Sequence, residues 1–230
     1  MSELVVGGFT PITTIDYPGQ LAAVVFCQGC PWRCHYCHNR HLLPVRSGGA
    51  MAWSDVLEFL ERRRGLLDAV VFSGGEPLNQ PGLAAAMGQV RALGFKVGLH
   101  TAGTSPAKLE AVLPLTDWIG IDAKAPFDHY PAITRIPGSG QAARMSAQLV
   151  LESGIEYEFR TTVAFHLLSR QQLLDLAGEL AAMGVKTYAW QAYRSPGRGP
   201  DRAAAEWGEG ELLAQVARWF PRFIDRTAQA

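Results

Sequence analysis

Short apolar segments alternate with longer segments of helical periodicity over most of the chain. The apolar segments have the length and character of buried β-strands, and the longer ones place leucines three and four positions apart, as at Leu173, Leu176 and Leu180. Strands are predicted at 21–26, 69–72, 96–100, 118–122, 158–163 and 186–192. Helices are predicted at 54–64, 81–93, 106–113, 141–152, 170–183 and 211–219.

Residues at the segment ends support this alternation. Ser54 can cap a helix at its amino end, and Pro81 suits a first helical turn. Gly94, Gly154 and Gly184 each follow a predicted helix, where a left-handed glycine often ends it. Strand–helix alternation indicates a parallel sheet with right-handed crossovers. Six units are too few for a closed eight-stranded barrel, so the sheet is either doubly wound or curled into a partial barrel.

Composition and charge exclude several classes of protein. With 230 residues, 48% of them hydrophobic, the chain can bury a substantial core as one domain. Lys plus Arg and Asp plus Glu each total 21, so the net charge is zero, which argues against a broad nucleic-acid-binding surface. No apolar run approaches the roughly 20 residues of a membrane span, and no signal-peptide pattern is present. We therefore expect a cytoplasmic protein with neither nucleic acid nor membrane as a partner.

All four cysteines lie in one segment after the first predicted strand: Cys27, Cys30, Cys34 and Cys37. So few cysteines, without an export signal, do not suggest a disulfide framework. Structural zinc sites usually separate two cysteine pairs by roughly 12 to 20 residues, a gap that this segment lacks. An iron–sulfur cluster fits better, because its iron atoms occupy different corners and a compact loop can supply their thiolates. Zinc binding and free thiols remain as alternatives.

The spacing C-x3-C-x2-C of Cys30, Cys34 and Cys37, with Tyr36 before the last cysteine, resembles the signature of the radical SAM superfamily. The resemblance implies a [4Fe–4S] cluster on these three cysteines, with S-adenosylmethionine chelating the fourth iron. The run 28–39 is similar, more narrowly, to that of the activating enzymes of glycyl radical enzymes. The segments Ile-Asp-Tyr-Pro-Gly at 15–19 and Asp-Ala-Lys-Ala-Pro-Phe from Asp122, followed by Tyr130, are similar to those of anaerobic ribonucleoside-triphosphate reductase activating proteins.

The resemblance extends from about Phe9 to about Arg194 and carries implications for the fold. It favours an α/β partial (β/α)6 barrel with a parallel sheet, as one radical SAM domain over residues 1–230. Residues 1–20 would form an N-terminal extension, and residues 195–230 a C-terminal loop and helix. Active groups of such folds gather at the carboxyl ends of the strands.

The ends of the second and third predicted strands carry candidate cofactor-binding residues. Gly74, Gly75 and Glu76 match the motif that holds the methionine amino group in radical SAM proteins. Thr101 lies in a segment that resembles the T-x-G segment of the family, near the bound ligand. Without the cysteine segment, a glycine turn before Pro77 and an ordinary strand end would account for both.

Charged residues mark the next two strands. Asp122 and Lys124 are two positions apart, so both face the same way on an extended chain. The resemblance implies that this pair contacts the ribose and carboxylate of the ligand; a structural ion pair is the alternative. Arg160 either points inward, where it needs a partner such as the methionine carboxylate, or outward into solvent.

Several residues beside the cysteines receive roles from the resemblance. Tyr36, His38 and Asn39 match a segment of the family that lies near the bound cofactor, with His38 and Asn39 near the adenosine. A fourth thiolate on the open iron would block chelation of S-adenosylmethionine, so Cys27 is interpreted as a structural or incidental thiol. Family members often place a histidine soon after an Arg-Thr-Thr-Val run, but here two residues intervene before His166.

The function implied is activation of anaerobic ribonucleotide reductase. One electron from an external flavodoxin- or ferredoxin-like donor would cleave S-adenosylmethionine to methionine and a 5′-deoxyadenosyl radical, and this radical would remove a hydrogen atom from a glycine of the reductase. The donor must be external because the four cysteines cannot build a second cluster. The alternatives are a radical SAM enzyme acting on another glycyl radical enzyme or on a small molecule such as a purine or pterin precursor, and a non-catalytic four-cysteine metal protein.

Overall fold

The computed structural model describes residues 3–45, 48–195, 199–200 and 209–227. Its strands are β1 (Val6–Thr13), β2 (Ala22–Cys27), β3 (Ala69–Gly74), β4 (Lys96–Thr101), β5 (Trp118–Asp122), β6 (Glu156–Val163), β7 (Thr187–Ala192), β8 (Arg194–Ser195), β9 (Gly199–Pro200) and β10 (Arg222–Arg226). Its α-helices are α1 (Trp53–Glu61), α2 (Leu83–Ala92), α3 (Pro106–Val112), α4 (Tyr130–Thr134), α5 (Ser139–Glu152), α6 (Arg170–Ala182) and α7 (Glu209–Ala217). No helix of the described ranges is long and apolar enough to cross a membrane.

Eight of the strands form one sheet, in the order β1-β2-β3-β4-β5-β6-β7-β10. Strands β2 to β7 and β10 are parallel to their neighbours, and β1 is antiparallel to β2. Because β2 to β7 follow one another in sequence order, right-handed crossovers place their helices on the same face of the sheet. A doubly wound sheet would need a reversal of strand order, which these strands do not have. The predicted partial barrel is therefore confirmed, with β1 and β10 at its edges.

All six predicted strands and all six predicted helices are present, with ends that differ by at most three residues. The prediction missed β1, β10, the two-residue strands β8 and β9, and the short helix α4. Strand β1 has a low strand propensity because it contains Gly7, Gly8 and Pro11. Proline is tolerated in an edge strand such as β1. The segments predicted as an N-terminal extension and as a C-terminal loop and helix thus each add an edge strand to the sheet. Assignment of the whole chain to one domain stays a prediction.

The two faces of the sheet are buried differently. The larger core, with Leu60, Met87 and Leu109, packs helices against one face. On the other face a smaller cluster includes Tyr17 and Trp118, whose rings stack 5.3 Å apart. This second cluster also contains residues from the amino-terminal halves of β2 and β3, so it fills that end of the barrel interior. The polar side chains of the interior lie toward the carboxyl ends.

Candidate functional site

A cavity of about 250 Å³ lies at the carboxyl ends of the strands. It is lined by residues of the cysteine segment and by residues from the ends of β3 to β7. All thirteen predicted site residues line it: Cys30, Cys34, Tyr36, Cys37, His38, Asn39, Gly74, Gly75, Glu76, Thr101, Asp122, Lys124 and Arg160. The fold thus brings together side chains that are up to 130 positions apart, as the prediction of a strand-end site requires.

The cysteine segment is held in place by backbone hydrogen bonds to three other parts of the chain. Gly29 N donates to Leu42 O at 2.7 Å, and Glu76 N donates to Gly29 O at 3.0 Å. On its other side, Arg33 N donates to Thr134 O at 2.9 Å, at the end of α4. Helix ends leave carbonyl groups without intrahelical partners, so α4 offers acceptors for this loop. The helix that the sequence did not reveal therefore positions the loop that the sequence marked most clearly.

The placement of the thiols distinguishes Cys27 from the other three. Cys27 is fully buried in the hydrophobic core at the end of β2, whereas Cys30, Cys34 and Cys37 line the cavity. Burial, with a smaller effect of Glu76, raises the pKa of Cys30 to about 12, and burial also raises the pKa of Cys34. Among the described residues no three His, Cys, Asp or Glu side chains converge as a site for a single metal ion. Three separated thiols on one cavity fit a cluster, whose ligands bind different iron atoms, better than they fit zinc.

The structure gives Gly74 and Gly75 a packing role. A Cβ atom on Gly75 would lie 2.5 Å from the Gly29 oxygen, and a Cβ atom on Gly74 would collide with the Cys27 backbone nitrogen. Gly74 also has a φ of +114°, which disfavours other residues. Gly75 N donates to Cys27 O at 2.9 Å across this contact. The two glycines line the cavity, and they also allow the β3 loop to pack directly on the cysteine loop.

Glu76 is a buried carboxylate that joins two strand ends. Its oxygens accept hydrogen bonds from Thr101 Oγ1 at 2.7 Å, Ala102 N at 3.0 Å and Leu78 N at 3.1 Å. Burial raises the pKa of Glu76, and these three donors oppose the shift. A carboxylate accepts about four hydrogen bonds, so one position stays available for a donor in the cavity. The Thr101 hydroxyl is engaged by Glu76 and by Gly103 N at 3.0 Å, so its effect on a ligand acts largely through Glu76.

Asp122 lies between two cations. Lys124 Nζ is 3.2 Å from Oδ2 of Asp122, and Arg160 Nη2 is 3.1 Å from Oδ1. Although burial raises the pKa of Asp122, Lys124 and Arg160 outweigh burial and lower it to about 2. Arg160 therefore points inward, and the partner that an inward arginine requires is supplied by the protein itself. The buried Nε of Arg160 has no hydrogen-bond partner among the described residues, which leaves one donor of this cation unused.

The remaining predicted residues lie at the two sides of the cavity. The buried ring of Tyr36 lies 5.6 Å from Lys124 Nζ, so it covers this cation from the side of the cysteine loop. The exposed ring of His38 packs edge-on against Tyr193, with centroids 5.4 Å apart, and Asn39 follows it at the mouth. The ring of His166 also packs against Tyr193, with centroids 4.9 Å apart.

Seven residues that line the cavity were not predicted: Trp32, Leu43, Ser73, His100, Ala102, Thr162 and Gln191. The sequence carries a signal for three of them. Thr162 follows Arg160 by two positions, so both face the same way on a strand. His100 and Gln191 are polar residues in otherwise apolar strands. Gln191 Nε2 donates to Thr162 Oγ1 at 3.0 Å. His100 Nε2 lies 2.8 Å from the carbonyl oxygen of Asp16 and 3.2 Å from Arg160 Nη1.

A second cavity of about 420 Å³ adjoins the first. The two share four residues: His38, Arg160, Thr162 and Gln191. Ile15 and Asp16 line it from the segment before β2, and Glu158 and Arg226 line it from β6 and β10. Arg226 forms two hydrogen bonds to Glu158, at 2.6 and 2.8 Å. The interior of the barrel therefore extends beyond the cysteine side of the first cavity.

Comparisons with known proteins indicate the family of the chain. The profile of the Radical SAM superfamily matches residues 24–180. A Methanocaldococcus jannaschii protein assigned by name to the glycyl-radical enzyme activating enzymes is 30% identical over 185 residues, which is 76% of this chain and 75% of that protein. The pyruvate formate-lyase-activating enzyme of Clostridium pasteurianum is 35% identical over 126 residues, or 52% of each chain.

A solved structure shares the fold at low sequence identity. The structure of native anSMEcpe with bound AdoMet and Kp18Cys peptide superposes with a TM-score of 0.66 at 15% identity. The match covers 86% of this chain and 61% of that chain. The chain thus spans about half to two thirds of the lengths of the Clostridium enzyme and of this structure.

Proposed function

Because this chain belongs to the radical SAM superfamily, and within it to the glycyl-radical enzyme activating type, whose cofactors are a [4Fe–4S] cluster and S-adenosylmethionine, we propose that it activates a glycyl radical enzyme. The target that we propose is an anaerobic ribonucleoside-triphosphate reductase. The observation that carries the activity is one cavity that combines three separated thiols with Glu76 and the Asp122–Lys124–Arg160 group. We place the reaction in the cytoplasm because it needs reduced thiols.

Different residues of the cavity would bind the cluster and the parts of S-adenosylmethionine. Cys30, Cys34 and Cys37 would hold the cluster, and Glu76, with one free acceptor position, would accept from the methionine ammonium. Asp122 holds Lys124 and Arg160 as cations, so they can bind a carboxylate and ribose hydroxyls while their own charges stay compensated. His38 and Asn39 would border the adenosine at the mouth.

Held by Cys30, Cys34 and Cys37, the reduced cluster would supply the electron for reductive cleavage of S-adenosylmethionine. The chemistry supplied would be removal of a hydrogen atom from a glycine Cα, with methionine and 5′-deoxyadenosine as the other products. The chain's own residues orient the reacting groups and limit the access of water. Thr162 and Gln191 lie where the two cavities meet, so they border the space through which a substrate would reach the first cavity. The second cavity offers room for a loop of a protein substrate beside the cofactor site.

The specific target rests on the resemblance of segments 15–19 and 122–130. In the structure Tyr17 stacks on Trp118 in the barrel interior, and the Tyr130 hydroxyl accepts from Lys124 N at 3.0 Å. Both tyrosines are buried, so they shape the barrel and do not contact a partner. Ile15, which is 82% exposed and lines the second cavity, is a large apolar residue of these segments that a partner can reach.

The test is anaerobic activation. The protein is reconstituted with iron and sulfide, reduced with dithionite, and mixed with S-adenosylmethionine and an anaerobic ribonucleotide reductase. We expect a glycyl radical on the reductase by electron paramagnetic resonance, with 5′-deoxyadenosine as co-product, and neither with Cys34→Ala. 5′-Deoxyadenosine without a protein radical would retain the cleavage chemistry and reject this target. An intact, reduced cluster that yields no 5′-deoxyadenosine would reject the proposed activity.

A further inference from the structure

Three exposed arginines cover the outer side of the cysteine loop: Arg33, Arg40 and Arg135, here called the cationic rim. Arg33 Nη1 donates to Cys30 O at 2.6 Å and to Trp32 O at 2.8 Å. Arg40 Nη2 donates to His35 O at 3.0 Å. The Arg135 guanidinium lies 3.2 Å from both ring nitrogens of His35. All three charges are thus fixed to the backbone or side chains of the loop that carries the cluster cysteines.

The rim is built by the same contacts that position the loop. Arg135 directly follows α4 and adopts a left-handed conformation, with φ of +61°. His35 N donates to Ile133 O at 3.2 Å, two residues before Arg135. Docking of the loop on α4 therefore brings Arg135, from a distant part of the sequence, beside Arg33 and Arg40. The sequence alone, with zero net charge, gives no sign of this concentration.

The charges of the rim are not neutralised by neighbouring carboxylates. Among the residues that the structure describes, no Asp or Glu side chain forms an ion pair with Arg33, Arg40 or Arg135. The exposed acidic residue of the turn before α4 is Asp128. Three exposed cations without an ion-pair partner among the described residues give this surface a positive potential. Such a potential attracts acidic partners and raises their rate of association.

We propose that the cationic rim is the docking surface for an acidic one-electron carrier protein, such as a flavodoxin, which delivers the electron to the cluster. This inference rests on the proposed function, which needs an external donor. The inner side of the loop faces the cofactor cavity, where S-adenosylmethionine and the target bind, so the outer side is the face on which a carrier does not compete with them. Arg33 contacts the carbonyl of a cluster cysteine, so a carrier on the rim comes close to the cluster.

The experiment compares charge-reversal variants in the cluster-loaded protein. The test variant combines Arg40→Glu with Arg135→Glu, because neither side chain lines the cofactor cavity. The matched control is Arg64→Glu, which changes an exposed arginine between α1 and β3. Reduction of the cluster by photoreduced flavodoxin hydroquinone is followed by anaerobic stopped-flow absorbance. The double variant should lose about tenfold in the second-order rate at low ionic strength, and the control should match the wild type. Titration with oxidised flavodoxin should show the same order of affinities, independently of turnover.

Salt and a chemical reductant separate the possible outcomes. The wild-type rate with flavodoxin should fall as ionic strength rises, and the difference between the double variant and the wild type should shrink. The yield of 5′-deoxyadenosine after full reduction by dithionite should be the same in the double variant, the control and the wild type. The proposal is overturned by a wild-type rate that does not depend on salt, or by a double variant that is reduced as fast as the wild type. If the double variant does not retain its cluster, the salt dependence of the wild-type rate is the deciding measurement. Loss of 5′-deoxyadenosine in dithionite-reduced wild type would instead reject the proposed function.

Discussion

Arg160 Nη2 lies 3.1 Å from Asp122 Oδ1, across the neighbouring strands β5 and β6. The two residues are 38 positions apart in sequence, and their strands pair in register at this point. Asp122 also holds Lys124, so one carboxylate compensates two cations at the cavity wall. The arrangement keeps both cations inside the site before any ligand binds.

Replacing Asp122 by Asn should destabilise the protein by about 2 kcal/mol, because two cations lose their shared anion. This is less than the roughly 3 to 5 kcal/mol of a fully buried pair, since 34% of the Asp122 side chain is exposed. Urea unfolding of the cluster-free protein would measure the change. Arg160→Gln should remove part of the penalty, so the double variant should be more stable than the sum of the two single effects predicts. Glu58→Gln, in the exposed pair with Arg62, is the control and should cost less than about 0.5 kcal/mol.

Replacing Gly75 by Ala should impair both stability and cluster loading. The new methyl group would lie 2.5 Å from the Gly29 oxygen and push the β3 loop away from the cysteine loop. We expect a loss of about 1 to 3 kcal/mol, the usual range for overpacking, together with reduced iron content after reconstitution. Gly88→Ala in α2 is the matched control, because no atom lies within 4 Å of its added methyl group, and it should be neutral or stabilising. Equal behaviour of the two variants would show that Gly75 does not pack as described.

The four cysteines should divide into two classes. Cys34→Ala should abolish cluster assembly, since it removes one of three thiols on the cavity, whereas Cys27→Ala should retain iron and sulfide at the wild-type ratio. Cys27 is fully buried in the core, so its truncation should cost about 1 kcal/mol of stability through the small cavity that it leaves. Iron and sulfide analysis with visible absorption spectra would check this. Loss of the cluster in Cys27→Ala would support the four-cysteine metal protein instead.

His100 should make stability depend on pH below neutrality. Burial lowers the pKa of His100, and Arg160 lowers it further, to about 3 from an ordinary value of 6.5. The folded state thus favours the neutral ring, whereas the unfolded chain binds a proton at this histidine below pH 6.5. The contribution of His100 to the free energy of unfolding is therefore complete above pH 6.5 and declines as the pH falls toward 3. At pH 5 the decline should be about 1 to 2 kcal/mol.

The comparison for this prediction is His100→Gln, which keeps a donor for the Asp16 carbonyl. The loss of unfolding free energy between pH 7 and pH 5 should be smaller in His100→Gln than in the wild type, by the same 1 to 2 kcal/mol. His129→Gln, at an exposed position, should follow the wild type. Parallel pH profiles for the wild type and His100→Gln would contradict the prediction.

The sequence by itself determined the features that depend on near neighbours along the chain. Apolar runs and helical periodicity predicted six strands and six helices, because the side-chain pattern of an element is local. The cysteine spacing and the motifs at strand ends, through the family resemblance that they carry, predicted which residues line the cavity, and all parallel strands present their carboxyl ends on the same side. The prediction missed edge strands β1 and β10 and helix α4. Gly7, Gly8 and Pro11 weaken the pattern of β1, three of the five residues of β10 are charged, and α4 is too short to show a helical period.

Only the tertiary structure decided which partners these residues meet. Strand order determined that the sheet is a partial barrel, and the register of β5 against β6 determined that Arg160 pairs with Asp122. The close contact of two loops explained why positions 74 and 75 require glycine. Docking of the cysteine loop on α4 gathered Arg33, Arg40 and Arg135 on one surface of a chain without net charge. These contacts join residues that lie tens of positions apart, and no periodicity or spacing along the chain encodes such distances.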